Sequence, residues 1–297
     1  MIKKSNFIRT GVTSRSFWAF VSPVLIVYCL VFLYPFVSTF IYSLTRWNGL
    51  DIQKEFVGLT NFRKLLDDQR FFNALAVTFR FAFLNVILIN GISFFLAIML
   101  NSKARITAVL RGMFFLPHVI SMVIVGFIWQ FIFMNITHEL SSYPMLGFLD
   151  QGWLGNPNIA LYSVVMVSVW RTTGYIMLIY LAGLQTIDKN LIDAAQVDGA
   201  NEWKQFLFVI LPLMIPSFNA CLFMTIVMSF RTFDLIFALT RGGPGYATEV
   251  LSLNIYNEAF GREMYGYGTA KAIVLTVIIL IITYLQVKVL KRKEVVL

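Results

Sequence analysis

The stretch DAAQVDGANEWKQF, residues 193–206, interrupts two strongly apolar segments of the chain. Aspartate favours a helix cap and glycine permits a tight reversal, so the stretch predicts two short helices with a break at Asp198-Gly199. Ala194, Ala195 and Ala200 leave a surface without bulk, around which a cleft of another protein could close. Composition alone is equally compatible with an ordinary loop between two helices.

The segments around this stretch have the composition of a membrane protein. The 297 residues are 58% hydrophobic and 13% charged, against roughly 45–50% and 25% in soluble domains. A membrane span needs about 20 mostly apolar residues. The sequence therefore predicts an all-α polytopic protein with six transmembrane helices, at residues 17–44, 80–100, 111–134, 159–181, 205–230 and 267–289. Lys271 and Lys288 flank the core of the sixth span and are expected to snorkel to the interfaces.

Basic residues set the predicted orientation, because short cytoplasmic loops are enriched in Lys and Arg. If the N-terminus is inside, the inner segments hold 13 basic and five acidic residues, and the remainder 11 and 10. Both termini and the 193–206 stretch are therefore expected in the cytoplasm. The predicted organisation is a leader 1–15, one transmembrane domain 16–290 and a tail 291–297, with an outer loop 46–78 and a cytoplasmic loop 186–208. Topology accounts for the net charge of +9, so no nucleic-acid partner is expected.

Motifs for chemistry on this chain are missing from the sequence. No G-x-x-x-x-G-K-[ST] phosphate loop is present, and the run Gly242-Gly-Pro-Gly245 predicts a turn. The histidines His118 and His138 stand alone, without the spacing of metal ligands or of a catalytic triad. The sequence therefore predicts neither an enzyme nor a bound metal.

The stretch resembles the coupling motif of permeases in binding-protein-dependent ABC importers. The matching positions are Asp193, Ala194, Ala195, Asp198, Gly199, Ala200 and Phe206, followed by Val209 and Leu211-Pro212. The family usually has Glu where this chain has Asp193, which shortens the reach of the carboxylate. The resemblance implies the type I ABC importer permease fold. It also implies that the loop docks in a groove of a separate ATPase, which binds ATP and Mg, while this chain binds no cofactor.

Other segments resemble the first-named permease of maltose-type carbohydrate importers. They are Trp47-Asn-Gly49, Phe56-Val-Gly-Leu-Thr-Asn-Phe62, Ala182-Gly-Leu-Gln185 and Leu239-Thr-Arg-Gly-Gly-Pro244. This resemblance implies a multi-pass protein of the bacterial cytoplasmic (inner) membrane that imports a sugar or oligosaccharide. The implied partners are a second, non-identical permease, two ABC ATPase subunits, an extracytoplasmic sugar-binding protein and membrane lipid.

Polar residues inside the spans are candidates for the substrate path, because such residues are costly in lipid. Thr225, Ser229 and Thr232 lie on one stripe of the fifth span, where helix packing is an equally good interpretation. In maltose-type permeases a Trp and a Tyr five residues later contact the sugar, and Trp170 and Tyr175 have that spacing.

Three charges near the path leave the cargo open. Arg231 and Asp234 are three residues apart, and a pair on one helical face is the favoured interpretation. If Arg171 and Arg231 instead face the channel unpaired, an anionic sugar or a glycerol phosphate becomes the alternative cargo. Two other classes remain: an ion-coupled secondary transporter, disfavoured because the span interiors lack acids, and a membrane-embedded enzyme.

Overall fold

The computed structural model describes residues 14–102, 104–143, 145–149 and 151–292. Most of the predicted leader, residues 1–13, and residues 293–297 of the predicted tail lie outside the described residues. The helices and strands are α1 (Ser14–Tyr28), α2 (Tyr34–Ser43), β1 (Thr45–Arg46), β2 (Glu55–Phe56), α3 (Thr60–Leu65), α4 (Gln69–Met99), α5 (Arg105–Val119), α6 (Met122–Phe131), α7 (Thr137–Ser141), α8 (Ala160–Gln185), α9 (Lys189–Val197), α10 (Glu202–Gln205), α11 (Leu211–Leu213), α12 (Ile215–Phe230), α13 (Asp234–Leu239), α14 (Leu251–Tyr256) and α15 (Tyr265–Lys291).

Five helical segments are long and apolar enough to cross a membrane, and a bent pair provides the sixth. The five are Phe17–Ser43, Gln69–Met99, Met122–Ser141, Ala160–Gln185 and Tyr265–Lys291, and the pair joins Glu202–Leu213 to Ile215–Phe230. The all-α, polytopic prediction is confirmed, apart from the short antiparallel ladder of β1 and β2 in the outer loop. The expectation that both chain ends lie in the cytoplasm stays a prediction.

The third predicted span, 111–134, is wrong as a continuous helix. The helix breaks at Ile120 and Ser121, which have extended backbones between α5 and α6. Pro117 lies in the last turn of α5 and has no N–H to donate, which weakens the helix just before the break. The broken helix leaves carbonyl oxygens inside the bundle that need hydrogen-bond donors.

The fifth predicted span, 205–230, is also not straight. Its two parts meet at Met214 with a bend of 61°. Pro216 explains the position of the bend, because proline cannot donate the helical hydrogen bond to the residue four positions earlier. The bend separates the part that continues from the 193–206 stretch from α12, which enters the bundle.

Helices α4, α5 and α8 approach one another closely at the centre of the bundle. Ser93 of α4 donates a hydrogen bond to the carbonyl oxygen of Thr173, 2.8 Å away. At the next residue, Gly174, a Cβ atom would lie 1.9 Å from the carbonyl oxygen of Phe114 in α5. Since a backbone carbonyl cannot move aside as a side chain can, glycine is required there.

Substituting Gly174→Ala is therefore expected to force α5 away from α8. Such overpacking typically lowers the free energy of unfolding by about 1–3 kcal/mol. Fluorescence-detected gel filtration in detergent, before and after heating, measures the change. The matched control is Gly112→Ala in α5, where a Cβ would meet no atom within 4 Å. If both variants retained the same fraction of folded protein after heating, the close approach of α5 and α8 would be contradicted.

The prediction that Lys271 snorkels to the interface is wrong. Its side chain is fully buried, and its Nζ lies 2.9 Å from carboxylate oxygens of both Asp68 and Glu258. It also donates to Asn254 Oδ1. Lysine at the end of a span has two ways to avoid lipid, and here ion pairing inside the protein replaces exposure to the headgroups. Lys288, in contrast, is exposed near the ring of Tyr284.

A second ion pair fixes the outer loop that follows α13. Arg70 at the start of α4 donates to both carboxylate oxygens of the buried Glu249, at 2.6 and 2.9 Å. The predicted turn is present in this loop, where Gly242 and Gly245 have φ values of 86° and 55°. The outer segment between α12 and α15 is thus held against the outer ends of α4 and α15.

Candidate functional site

The 193–206 stretch forms two short helices, as predicted, and their junction is a glycine turn. The amide of Gly199 donates to the carbonyl of Gln196 at 3.0 Å, and that of Ala200 to the carbonyl of Ala195 at 2.9 Å. This pair of bonds is the Schellman motif, which needs a left-handed residue just after the helix. Gly199 meets that need with a φ of 80°.

The side-chain carboxylates of the stretch form no hydrogen bond or ion pair within the described chain. The side chains that cap α9 and α10 are instead those of Asp188 and Asn201. Asp193, Ala194, Asp198 and Gly199 are exposed, and Ala195 and Ala200 are half-buried.

Large apolar side chains also project from the same surface. Val197 is 88% exposed, and Trp203 and Phe208 are exposed as well. Apolar groups of this size, set among small residues, are typical of a surface that another protein covers.

Phe206 connects this surface to the bundle. Its ring stacks on Trp203 with centroids 5.8 Å apart and lies 6.3 Å from the ring of Phe94 in α4. Phe206 also begins the π-helical turn Phe206–Ile210, just before the bend that leads into α12. Phe206 therefore joins the stretch to α4 by a ring contact and to α12 along the chain.

The polar stripe of the fifth span packs against α4. Asn90 donates a 2.8 Å hydrogen bond to Thr225 Oγ1, and Asn85 donates one of 3.1 Å to Ser229 Oγ. Tyr180 of α8 donates to Asn90 Oδ1 at 2.8 Å. Thr225 and Ser229 are fully buried, and both hydroxyls accept hydrogen bonds from α4.

Thr232 lies just beyond the end of α12. It is buried, and its carbonyl oxygen accepts a hydrogen bond from Ser252. This contact ties the end of α12 to α14.

Trp170 and Tyr175 lie on different faces of α8, because five residues turn a helix by about 140°. Trp170 is partly exposed and contacts Trp129, with centroids 5.5 Å apart. Tyr175 stacks on His118 at 4.4 Å, with ring planes 5° apart, and its hydroxyl lies 3.8 Å from Met224 Sδ. The structure therefore does not bring the two aromatics together.

The side chain of Arg171 supplies hydrogen-bond donors to the backbone carbonyls at the break in the third span. Its guanidinium donates to the carbonyl oxygens of His118 and Ile120 at 3.2 Å, which are the last carbonyls before the break. A cation at this helix end also opposes the negative end of the helix dipole. Arg171 thus has a structural partner, which the sequence could not identify.

The pair expected between Arg231 and Asp234 is not formed among the described residues. Both side chains are exposed, and no ion pair within 4.0 Å joins them in the described ranges. Arg231 ends α12 and Asp234 begins α13, so the two do not share one continuous helix. The helical spacing used for the prediction does not apply across this break.

His118 is the residue at this site that the sequence analysis missed. Besides stacking on Tyr175, it has a buried Nδ1 without a hydrogen-bond partner in the described chain. The available signal was a histidine after a proline inside an apolar span, but nothing in the sequence shows that it meets Tyr175.

Comparisons with known proteins agree on one family. The family model described as "Binding-protein-dependent transport system inner membrane component" matches residues 89–295. The probable starch degradation products transport system permease protein AmyD of Thermoanaerobacterium thermosulfurigenes is 38% identical, covering 99% of each chain. The multiple sugar-binding transport system permease protein MsmF of Streptococcus mutans is 34% identical, covering 94% of this chain and 96% of that protein.

A solved structure shows the same fold. It is a bacterial ABC transporter involved in the import of the acidic polysaccharide alginate, and it aligns with a TM-score of 0.79 and 22% identity. The alignment covers 93% of this chain and 95% of that one.

Proposed function

The chain belongs to the family of inner membrane components of binding-protein-dependent transport systems, and we propose that its cargo is a sugar or an oligosaccharide. It is a multi-pass permease subunit of an ABC importer and not an enzyme, so the ion-coupled secondary transporter falls away. The observation that supports the cargo is the match over almost the whole chain to AmyD and MsmF, whose names refer to starch degradation products and to multiple sugars.

The exposed 193–206 surface is proposed to dock on an ABC ATPase. The support is its combination of small residues, free carboxylates at Asp193 and Asp198, and exposed apolar side chains at Val197 and Trp203. Two such ATPase subunits, holding ATP and Mg, would supply the energy, since the chain has no phosphate loop of its own and is proposed to bind no cofactor or metal.

A second, non-identical permease is proposed to cover the first span. The most apolar part of Phe17–Ser43 has no buried residue within the described chain. A helix that packs so little against its own bundle needs lipid or another subunit along most of its length. The extracytoplasmic sugar-binding protein is proposed to deliver cargo at the outer loops.

Within the membrane, the path is proposed to follow the Tyr175 side of α8. Arg171, Tyr175 and His118 lie on this side. Trp170 instead lines an apolar groove of about 490 Å³, together with residues of α4 and α5 such as Leu88 and Phe114.

Two substitutions test which face of α8 borders the sugar path. We expect Tyr175→Ala to lower kcat/KM for sugar uptake about tenfold, which corresponds to about 1.4 kcal/mol of lost binding. Trp170→Ala is expected to lower it less, and neither should prevent assembly with the ATPase. Uptake by proteoliposomes and co-purification of the ATPase measure both effects. The larger loss in Trp170→Ala would instead place the path on the groove side.

The cargo itself is tested with the purified importer and its binding protein in nanodiscs. We expect neutral sugars from a panel of maltose, maltotetraose, raffinose and arabinotriose to stimulate ATP hydrolysis. The absence of stimulation by every member, in a complex that hydrolyses ATP, would overturn the carbohydrate proposal.

An anionic sugar or a glycerol phosphate is the second candidate cargo, and one observation favours it. Arg231, which follows the last residue of α12, is exposed without an ion pair in the described chain. Adding glycerol 3-phosphate and glucuronate to the panel decides between the two. Stimulation by these anions alone, abolished in Arg231→Gln, would select the second candidate.

A further inference from the structure

A ring of side-chain contacts joins α4, α8 and α12 next to Tyr175. Tyr180 of α8 donates its hydroxyl proton to Asn90 Oδ1 of α4 at 2.8 Å, and Asn90 Nδ2 donates to Thr225 Oγ1 of α12 at 2.8 Å. The preceding residue of α12, Met224, has its Sδ 3.8 Å from the hydroxyl of Tyr175. These contacts start and end on α8. We call Tyr180, Asn90 and Thr225 the Asn90 bridge.

Every polar side-chain atom of the Asn90 bridge has a hydrogen-bond partner. Asn90 Nδ2 also donates to the carbonyl oxygen of Val86, and the Thr225 hydroxyl donates to the carbonyl oxygen of Cys221 at 2.9 Å. All three residues of the bridge are buried. A buried polar network is rigid when its members are all satisfied, because each broken bond leaves an unpaired polar group. The bridge therefore holds its three helices at one spacing.

The ring of Tyr180 is held as well as its hydroxyl. It is fully buried and contacts Phe94 of α4 and Phe218 of α12, with centroids 5.4 and 5.0 Å apart. Both distances are within the contact range of aromatic pairs, about 4.5–7 Å. These two contacts keep the hydroxyl of Tyr180 directed at Asn90.

A second asparagine of α4 provides the contrast. Asn85 donates to Ser229 Oγ of α12 at 3.1 Å, but its Oδ1 is buried without a partner in the described chain. Asn85 also forms no hydrogen bond with α8 within the described ranges. It therefore connects two helices, whereas Asn90 connects three.

The Asn90 bridge adjoins the side of α8 that is proposed to border the cargo path. Tyr175 and Tyr180 are five residues apart on α8, about 7.5 Å along its axis, and Met224 and Thr225 are consecutive on α12. The thioether of Met224 is only a weak acceptor for the Tyr175 hydroxyl. The stronger polar link between α8 and α12 at this place is therefore the bridge through Asn90. Polar side chains inside spans are costly and are often functional.

We propose that Asn90 is a positioning residue for transport, which holds Tyr175 of α8 at a fixed place relative to α12 and thereby sets the shape of the cargo path. The inference rests on the proposed path along the Tyr175 side of α8. It adds to that path a residue of α4 that acts through Tyr175.

A double-mutant cycle tests whether Asn90 acts through Tyr175. Asn90→Leu is combined with Tyr175→Ala, and Tyr180→Phe removes only the hydroxyl that reaches Asn90. The matched control is Asn85→Leu, at a similarly buried asparagine of the same helix. The complete importer in proteoliposomes is assayed for uptake of maltose, maltotetraose, raffinose and arabinotriose. Co-purification of the ATPase reports assembly.

We expect Asn90→Leu to lower kcat/KM about tenfold, chiefly by raising KM, because it removes the hydrogen bonds to both α8 and α12. Tyr180→Phe should lower kcat/KM by about threefold, because it removes one of these bonds. Asn85→Leu should stay within about twofold of the parent, and so should the further effect of Asn90→Leu in the Tyr175→Ala background, since coupled residues are not additive.

A further loss in the Tyr175→Ala background as large as that in the parent would overturn the positioning role and leave the path intact. Parental uptake by Asn90→Leu would do the same. Parental uptake by Tyr175→Ala would remove the proposed path, and this inference with it. A parent importer that moves none of the four sugars would overturn the carbohydrate function as well. If Asn90→Leu does not assemble, Tyr180→Phe decides in the same cycle, because it keeps the ring contacts of Tyr180.

Discussion

Replacement of Lys271 by methionine is expected to lower the free energy of unfolding by about 3–5 kcal/mol. The buried Glu258 then keeps only the ion pair with the exposed Arg262, and the partly buried Asp68 loses its cation. The Lys271 ammonium lies 2.9 Å from both Asp68 and Glu258 and is fully buried. It joins the start of α4, the segment after α14 and α15 in one contact. The measurement is the Tm of purified protein in one detergent.

Lys288→Met is the matched control, since Lys288 lies on the same helix and is exposed. We expect its Tm to equal that of the parent. Adding Glu258→Gln to Lys271→Met should recover part of the loss, because it removes one of the stranded charges. A Tm for Lys271→Met within error of the Lys288 control would contradict the buried ion pairs.

The ionisation of Asp68 makes a contribution to the stability of the parent protein that depends on pH. Burial raises the pKa of Asp68, but hydrogen bonds from Lys271, Tyr267 and the Phe71 amide outweigh that effect and lower it to about 2. A lowered pKa adds stability above the unfolded value of about 3.9. That stability is lost progressively as the pH falls from about 5, where the unfolded chain begins to bind the proton, through the folded pKa of about 2. We therefore expect the contribution of Asp68 to the Tm to be constant between about pH 5 and 8.

Gly199→Val is expected to reduce sugar uptake at least tenfold while membrane insertion remains normal. Gly199 has a φ of 80°, where a β-branched residue is strained by about 1–3 kcal/mol. A Cβ there meets no atom within 4 Å, so the effect comes from the backbone and not from a clash. Relieving the strain would reorient α10 relative to α9 and alter the surface proposed to meet the ATPase.

Gly199→Asn provides the control at the same position, because asparagine tolerates the left-handed conformation. We expect it to retain most of the uptake. Measurements are uptake in proteoliposomes, ATP hydrolysis with the binding protein, and the amount of protein in membranes. Normal uptake by the valine variant would show that the turn is not needed for coupling, and failed insertion would assign Gly199 to folding instead.

Much of the fold could be predicted because its signals are local. The apolar runs and the Asp198-Gly199 break are properties of neighbouring residues, and the two short helices after Asp188 formed as expected. The continuous third span failed because Pro117 acts together with a distant donor, Arg171, which stabilises the break at Ile120.

The candidate path was less predictable, since it depends on which faces meet. The spacing of Trp170 and Tyr175 suggested one site, but their side chains point about 140° apart around α8. From the sequence, the hydroxyls of Thr225 and Ser229 could either line a pore or pack a helix. In the structure they accept hydrogen bonds from Asn90 and Asn85 of α4.

The sequence by itself determined the all-α membrane architecture, the break at Asp198-Gly199 and the family, because each depends on contiguous residues whose composition or spacing is sufficient. Only the tertiary structure decided that Lys271 is paired inside the protein and that His118 stacks on Tyr175. These groups lie up to about 200 positions apart in the chain. Their contacts arise when the helices pack, and they depend on direction and depth, which a linear pattern does not encode.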